Sequence, residues 1–315
     1  MTGHFQELID LASERFGGAV IDANDDFFAP KENLIKRSAP KWIDDKYTDR
    51  GKWMDGWETR RRRDDGTHDW CVIRLGARGI VRGVDVETTH FKGNYPESCA
   101  IDVTSDVASS SSPTWSEVLP RTPLKGDSHN VIEIANAPAA THLRLRIFPD
   151  GGVARLRVHG TVVPDWEQLK RRSEVDLAAA ENGGLVIGCS DMFFGSRHNL
   201  IMPGDATHMG DGWETKRRRG PGHDWTIVKL GAAGTIHRID VDTRHFKGNA
   251  PGACDLEGST DGETWRALLP RTPLTPHARH TFESDVRAIG DVSHVRFNIY
   301  PDGGVGRLRL WGVPR

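Results

Sequence analysis

The chain has 315 residues, and its 42 Lys and Arg nearly cancel 44 Asp and Glu, leaving a formal charge of −2 that excludes the basic excess of a nucleic-acid or membrane-surface binder. Hydrophobic residues make up 37% of the chain, enough for packed cores, so intrinsic disorder is excluded and two domains are expected at this length. The 34 Gly and 10 Trp, set against only 3 Tyr, point to tight turns and large aromatic anchors in a β-rich fold, not a helical bundle.

Residues 1–15 hold no cationic start followed by an apolar stretch, so no export signal is expected. Phe5, Leu8, Ile9, Ala12 and Phe16 share one helical face, which predicts a helix at the start. Alternating runs at 71–75, 81–86, 143–148 and 154–158 predict strands of period two. Pro149-Asp150-Gly151-Gly152 has the fixed φ, side-chain turn bonding and tolerance of positive φ that predict a hairpin. Residues 161–168 read as a linker, and 175–180 look like a second opening helix ended by Gly183-Gly184. No apolar run approaches the roughly 18 residues of a membrane span. Cys71, Cys99, Cys189 and Cys254 form no C-x-x-C pair, so disulfides and thiolate zinc are not expected and a reducing cytoplasm fits best.

The second half restates the first in order. Asp10-Leu11-Ala12, Phe27-Phe28 and Asn33-Leu34-Ile35 return 166 positions later, Asp55-Gly56-Trp57-Glu58-Thr59 at 156, and His68-Asp69-Trp70 and His90-Phe91-Lys92-Gly93-Asn94 at 155. Leu119 to Leu124 (LPRTPL) recurs from Leu269, and Phe148 to Gly160 matches Tyr300 to Gly312 at 9 of 13 positions. A unit of this size is a domain with its own core, not a solenoid repeat. The offset falls mainly because nineteen residues separate Ile35 from Asp55 but nine separate Ile201 from Asp211, so the first copy carries an extra segment with Trp42 and Trp53.

Several repeated residues could carry chemistry. Trp57 and Trp213 read as core, so Glu58 and Glu214 should face the other way, either as proton carriers and amide acceptors or as a solvated strand face. The basic runs at 60–63 and 216–219 read mostly as edge strands with arginines paired to acids. They leave about one guanidinium each, Arg61 or Arg217, to hold a carboxylate. His-Asp at 68–69 and 223–224 more often caps a strand start than acts as acid, base or ligand. The HFKGN segments place a base of near-neutral pKa, a cation and an amide within five residues, making His90, Lys92, Asn94, His245, Lys247 and Asn249 the main candidates. Asp150 and Asp302 read as turn formers, while Arg155 and Arg307 could face solvent or a ligand. No H-E-x-x-H, G-x-S-x-G, P-loop or dinucleotide fingerprint is present. No metal ligands and no cofactor are therefore assigned, with a divalent ion such as Mn²⁺ left open.

Taken together, the doubled NDDFF, DGWET-basic, HDW, HFKGN, LPRTPL and PDGG-x-x-RLR series resembles the allantoicase (allantoate amidinohydrolase) family over nearly the whole chain. The resemblance implies an all-β chain of two tandem jelly-roll, galactose-binding-like sandwiches, at 1–163 and 164–315, assembled as a homo-oligomer. It also implies hydrolysis of allantoate to (S)-ureidoglycolate and urea in allantoin and purine catabolism. The second copy departs at Ser190-Asp191-Met192, Ala250 and Gly252, which bears on whether both copies contribute equal sites. Allantoate needs a cation for its carboxylate, acceptors for its urea N–H groups, a proton for the departing urea and a base for water. On this resemblance Glu58 or Glu214 and His90 or His245 form the acid/base pair. Lys92, Lys247 and an arginine hold the carboxylate, where the two domains face each other. The alternative is a non-catalytic carbohydrate or small-acid binding protein built from the same sandwiches. The unchanged polar groups of HFKGN and DGWET and the lack of an export signal favour the enzyme, and a scaffold that had lost activity would have lost those groups from both copies.

Overall fold

In the computed structural model, which describes residues 4–63, 68–105 and 113–315, one 19-residue strand organises each half of the chain. The first unit, Met1–Val163, runs β1 (Ile9–Asp10), β2 (Ala19–Ala23), β3 (Tyr47–Thr48), β4 (Gly51–Lys52), β5 (Trp57–Glu58) and β6 (Asp69–Glu87). It continues with β7 (Ser98–Thr104), β8 (Ser116–Pro123), β9 (His129–Glu133), β10 (Ala139–Phe148), β11 (Gly152–Val153) and β12 (Arg155–Val162). Early in β6, residues 71–74 pair with β2 and residues 69–74 with β10; later, residues 83–87 pair with β9 and 79–87 with β12. All these pairs are antiparallel, with β7 and β8 extending from β10 and β1 from β12. One strand thus belongs to both layers of a jelly-roll sandwich, and its buried Cys71, Ile73, Leu75, Val81, Val84 and Val86 line the core between them.

The two runs expected at 71–75 and 81–86 are therefore halves of β6. Gly76 and Gly79 separate them in sequence, and the backbone passes so close to its neighbours there that a Cβ on Gly76 would lie 2.3 Å from the Phe16 carbonyl oxygen.

The second unit, Pro164–Arg315, begins with one helical turn, α1 (Trp166–Leu169), capped by the Asp165 side chain. It then repeats the plan: β13 (Val175–Asp176), β14 (Leu185–Cys189), β15 (Trp213–Glu214), β16 (Asp224–Asp242), β17 (Ala253–Ser259), β18 (Arg266–Pro273), β19 (Arg279–Phe282), β20 (Val292–Tyr300), β21 (Gly304–Val305) and β22 (Arg307–Pro314). Strand order in the two sheets is equivalent, β1-β12-β6-β10-β7-β8 against β13-β22-β16-β20-β17-β18. Among the described residues no helix is long and apolar enough to cross a membrane, and all four cysteines are free thiols.

Three local expectations are corrected. The opening helices are absent: residues His4–Glu7 and Glu14–Phe16 form 3₁₀ turns, with Ile9 and Asp10 between them paired to β12, and β13 pairs likewise with β22. The apolar spacing serves burial of Phe5, Ile9, Leu11, Ala12 and Phe16, and strand pairing at the sheet edge overrides the helical period. Residues 161–168 do contain the boundary between the two units, after Val163, but as a linker they are largely structured, since Thr161 and Val162 complete β12 and the α1 turn follows. The Pro-Asp-Gly-Gly segment does not make a hairpin, because β10 pairs with β6 and β7 while β11 pairs with β5.

That segment instead seats the HFKGN loop. The Phe91 ring is fully buried, and a Cβ on Gly152 would lie 2.0 Å from it, so only glycine permits the contact. Arg155 and Arg307 are turned away from solvent. Arg155 is 0% exposed and donates to the Asp55 carboxylate (3.0 Å) and to the carbonyls of Asp55, Ala154 and Ser38; Arg307 makes the equivalent set with Asp211, Gly306 and Gly204. Burial opposes ionisation of Asp55, yet hydrogen bonds from Arg155 and the Lys41 N–H hold its carboxyl below the usual range. That stability is present above the unfolded-state value and is lost as pH falls through the lowered one.

Replacing Arg155 by Met should cost about 3–5 kcal/mol in denaturant unfolding, because a buried carboxylate is left unpaired. Gly152→Ala should cost about 1–3 kcal/mol by overpacking Phe91. A Gly152→Ala protein as stable as the parent would contradict the seating described here.

Candidate active site

Glu58 is set by its neighbour. Trp57 is fully buried and its Nε1 donates to the Asp25 carbonyl (2.8 Å), so the alternation of β5 turns the Glu58 side chain to the opposite face. The Glu58 backbone is held on one side by Gly152 of β11 and on the other by Ala29, whose carbonyl accepts the Glu58 N–H. Asn94 is fixed just as firmly: its carbonyl accepts the Gly152 N–H (2.7 Å) and its Nδ2 donates to Glu58 Oε1 (2.7 Å). Three motifs far apart in sequence thereby converge on one carboxylate.

His90 sits at φ 72°, in the left-handed region that L-residues avoid, and His245 repeats this at φ 73°. Such strain persists where the surroundings over-determine it. The His90 N–H donates to Asp127 Oδ1 (2.8 Å) and the next N–H, of Phe91, to the Thr88 carbonyl; in the second copy the His245 N–H donates to His277 Nδ1 (2.8 Å).

These groups share a cavity of about 620 Å³ in the first unit, a size suited to a small metabolite. Glu58, His90, Lys92 and Asn94 line its polar side, Phe28, Trp42 and Met54 its apolar side, and Lys52 adds a second cation. The Trp42 and His90 ring centroids are 5.9 Å apart. Burial pushes the Glu58 carboxyl above the usual carboxylate range, and the Asn94 hydrogen bond partly offsets the shift. Among the described residues no three His, Cys, Asp or Glu side chains cluster as metal ligands.

The site thus unites four of the five first-copy candidates. Arg61 is exposed and outside the cavity lining, in a segment that is coil and not the expected edge strand. Its neighbours are committed elsewhere: Arg60 pairs with Asp25, and Arg62 with Asp69 and, through its N–H, with Asp150. Asp69 also accepts from Asn24, which makes the His-Asp-Trp segment a structural junction. Phe28, Met54 and Lys52 were not anticipated. The available signal was the extra segment of the first copy, because Trp42 and Lys52 both lie on it.

In the second copy Asn249 Nδ2 likewise donates to Glu214 Oε1 (2.6 Å), while Lys247 is exposed. Arg217 is exposed and lies apart from them, in a 390 Å³ depression with Asp191, Arg218 and Asp224. His245 Nε2 is 2.9 Å from the Ala206 carbonyl oxygen.

A family model described as the allantoicase repeat matches residues 9–163 and again 175–315, the same duplication that the two sandwiches embody. The chain belongs to the allantoicase family. Curated relatives agree over nearly their full length: it is 48% identical to a probable allantoicase of Pseudomonas aeruginosa (99% of this chain, 97% of that protein). It is 47% identical to one of Photobacterium profundum (98% and 97%) and 46% identical to one of Burkholderia mallei (97% and 94%). The crystal structure of allantoicase from Saccharomyces cerevisiae superposes with a TM-score of 0.84 at 36% identity, covering 96% of this chain and 92% of that one. Within this family member, the DGWET and HFKGN motifs meet in both copies, and in the first copy they line the cavity.

Replacing Asn94 by Leu removes the one bond that lowers the Glu58 value, so the Glu58 carboxyl should titrate at still higher pH, read by carboxyl-carbon NMR. Because folding raises the Glu58 value, ionisation should cost the parent stability as pH rises through it. Glu58→Gln should therefore be the more stable protein at alkaline pH and show no such gain at pH 4.

Proposed function

We propose that this chain hydrolyses allantoate to (S)-ureidoglycolate and urea, and that the cavity of the first repeat is where it does so. The observation that carries the assignment is the convergence of Glu58, Asn94, His90 and Lys92 on one cavity. Allantoate bears a carboxylate and two ureido groups on one carbon, and the bond to be broken joins that carbon to a urea nitrogen. Glu58 is the general acid. Its raised value keeps the proton to higher pH than an ordinary carboxylate, and with Oε1 accepting from Asn94 the proton resides on Oε2. His90 is the base that takes a proton from water as the water oxygen bonds to the carbon. The carbon–nitrogen bond breaks, Glu58 delivers its proton to the departing nitrogen, and proton return from His90 through solvent resets the pair. Asn94 positions Glu58, and Lys92 draws the anionic substrate to the cavity. The free thiols, three of them buried, support work in a reducing compartment such as the cytoplasm.

Purified, chelator-treated protein should release urea and ureidoglycolate from allantoate and none from allantoin, and repeating the assay with Mn²⁺ shows whether a metal adds to the rate. Glu58→Gln should lower kcat by about 10²–10⁴ and remove the fall of activity with rising pH. Glu214→Gln should stay within about threefold of the parent. A larger loss with Glu214→Gln than with Glu58→Gln would place the chemistry in the other repeat.

A further inference from the structure

The two copies share anchors that isolate what only the first one has. The Lys41 and Thr207 N–H groups donate to the Oδ2 atoms of Asp55 and Asp211 (2.9 and 3.1 Å), and the Ser38 and Gly204 carbonyls accept from the Nε atoms of Arg155 and Arg307 (2.9 and 3.0 Å). Between these equivalent points Lys41 and Asp55 are 14 positions apart, whereas Thr207 and Asp211 are four apart. The additional residues carry the β3–β4 hairpin, and with it Trp42 and Lys52 enter the cavity. In the second copy the short link places Met209 Sδ 3.9 Å from Asn249 Nδ2 and the Ala206 carbonyl against His245. The groups corresponding to Asn94 and His90 are thus already in contact with their own chain.

Lys52 is held for a purpose its own fold does not use up. Its Nζ donates to the Ile43 carbonyl (2.9 Å) and lies 4.7 Å and 5.0 Å over the Trp42 and Tyr47 rings. One of three ammonium donors is thereby committed and the ammonium rests in cation–π contact with two rings. Two donors remain, which is what a carboxylate accepts. The arginine expected for that role, Arg61, lies outside the cavity lining.

We propose that Lys52 recognises the carboxylate of the substrate, with the Trp42 ring as an apolar wall beside it, so that only the first copy binds substrate productively. This rests on the allantoate reading above. The acid then faces the departing ureido group and the base the water that attacks the substrate carbon from the opposite side, and the hairpin sets which molecule is oriented for them.

The test compares allantoate with its neutral carboxamide analogue on the wild type, Lys52→Met, Lys52→Gln and Lys52→Arg, with thermal melts showing that each variant keeps the parental fold. Lys52→Gln retains a donor for Ile43 without the charge. Loss of a charge-assisted hydrogen bond should raise KM for allantoate roughly 10- to 100-fold in Met and Gln, with kcat within about threefold. KM for the carboxamide should be unchanged, and Arg should restore part of the loss. Equal effects on both compounds, or a fall in kcat at unchanged KM, would make Lys52 a structural wall and overturn the proposal. Wild-type protein that releases no urea from allantoate sinks the enzymatic reading itself, whereas wild-type turnover with all three variants unaffected sinks only the role of Lys52.

Discussion

A guanidinium with no access to water governs how each sandwich presents its site. Arg155 sits on the last strand of the first unit, yet its partners are Asp55 and the carbonyls of Ser38, Asp55 and Ala154. Burying such a charge is tolerable only when nearly every donor is satisfied, so the backbone from 38 to 55 must curl to bring its oxygens inward. Both ends of the extra segment are thereby clamped, and β5 leaves the clamp with Trp57 inward and Glu58 outward. Arg307 and Asp211 do the same in the second unit. The ion pair is best understood as a device that fixes geometry, since its Coulombic gain is set against a large desolvation cost.

Duplication has left two scaffolds that are nearly equivalent in their buried parts and unequal at their mouths. The carboxylate–amide pair and the left-handed histidine occur in both. What differs is a connection between two equivalent anchors, which forms a cavity wall in one copy and lies on the corresponding groups in the other. A pocket in this architecture can be covered by its own chain without loss of any polar residue from it.

Much of this was legible in the sequence. The repeat needed only self-comparison, and the opposed roles of Trp57 and Glu58 followed from strand alternation, because a large apolar ring beside a carboxylate can satisfy only one arrangement. HFKGN stood out because three kinds of chemistry fell within five residues. Other features depended on long-range contacts that composition and period do not encode. Gly76 and Gly79 look like strand ends but let one strand serve two layers. Pro149 to Gly152 has every mark of a hairpin, while Gly152 is required by the Phe91 ring and Gly151 by its positive φ against the backbone at 94–96. Arg155 alternates with apolar residues just as a surface arginine would, and only its distant partner Asp55 explains it. Arg61 was a reasonable choice for an anion and was passed over because the acids on either side fix the rest of its run.

The β3–β4 hairpin stands outside the sandwich and contributes nothing to its sheets. Its length and side chains can vary without disturbing the layers beneath, since the clamp at its base closes equally well over fourteen positions or four. A carboxylate on a short strand and a histidine in the turn after β6 thus share a cavity with side chains carried by an appendage. In a lineage or a laboratory, the outer wall of the cavity could therefore be rebuilt through this hairpin while Glu58 and Asn94 stay where the core holds them.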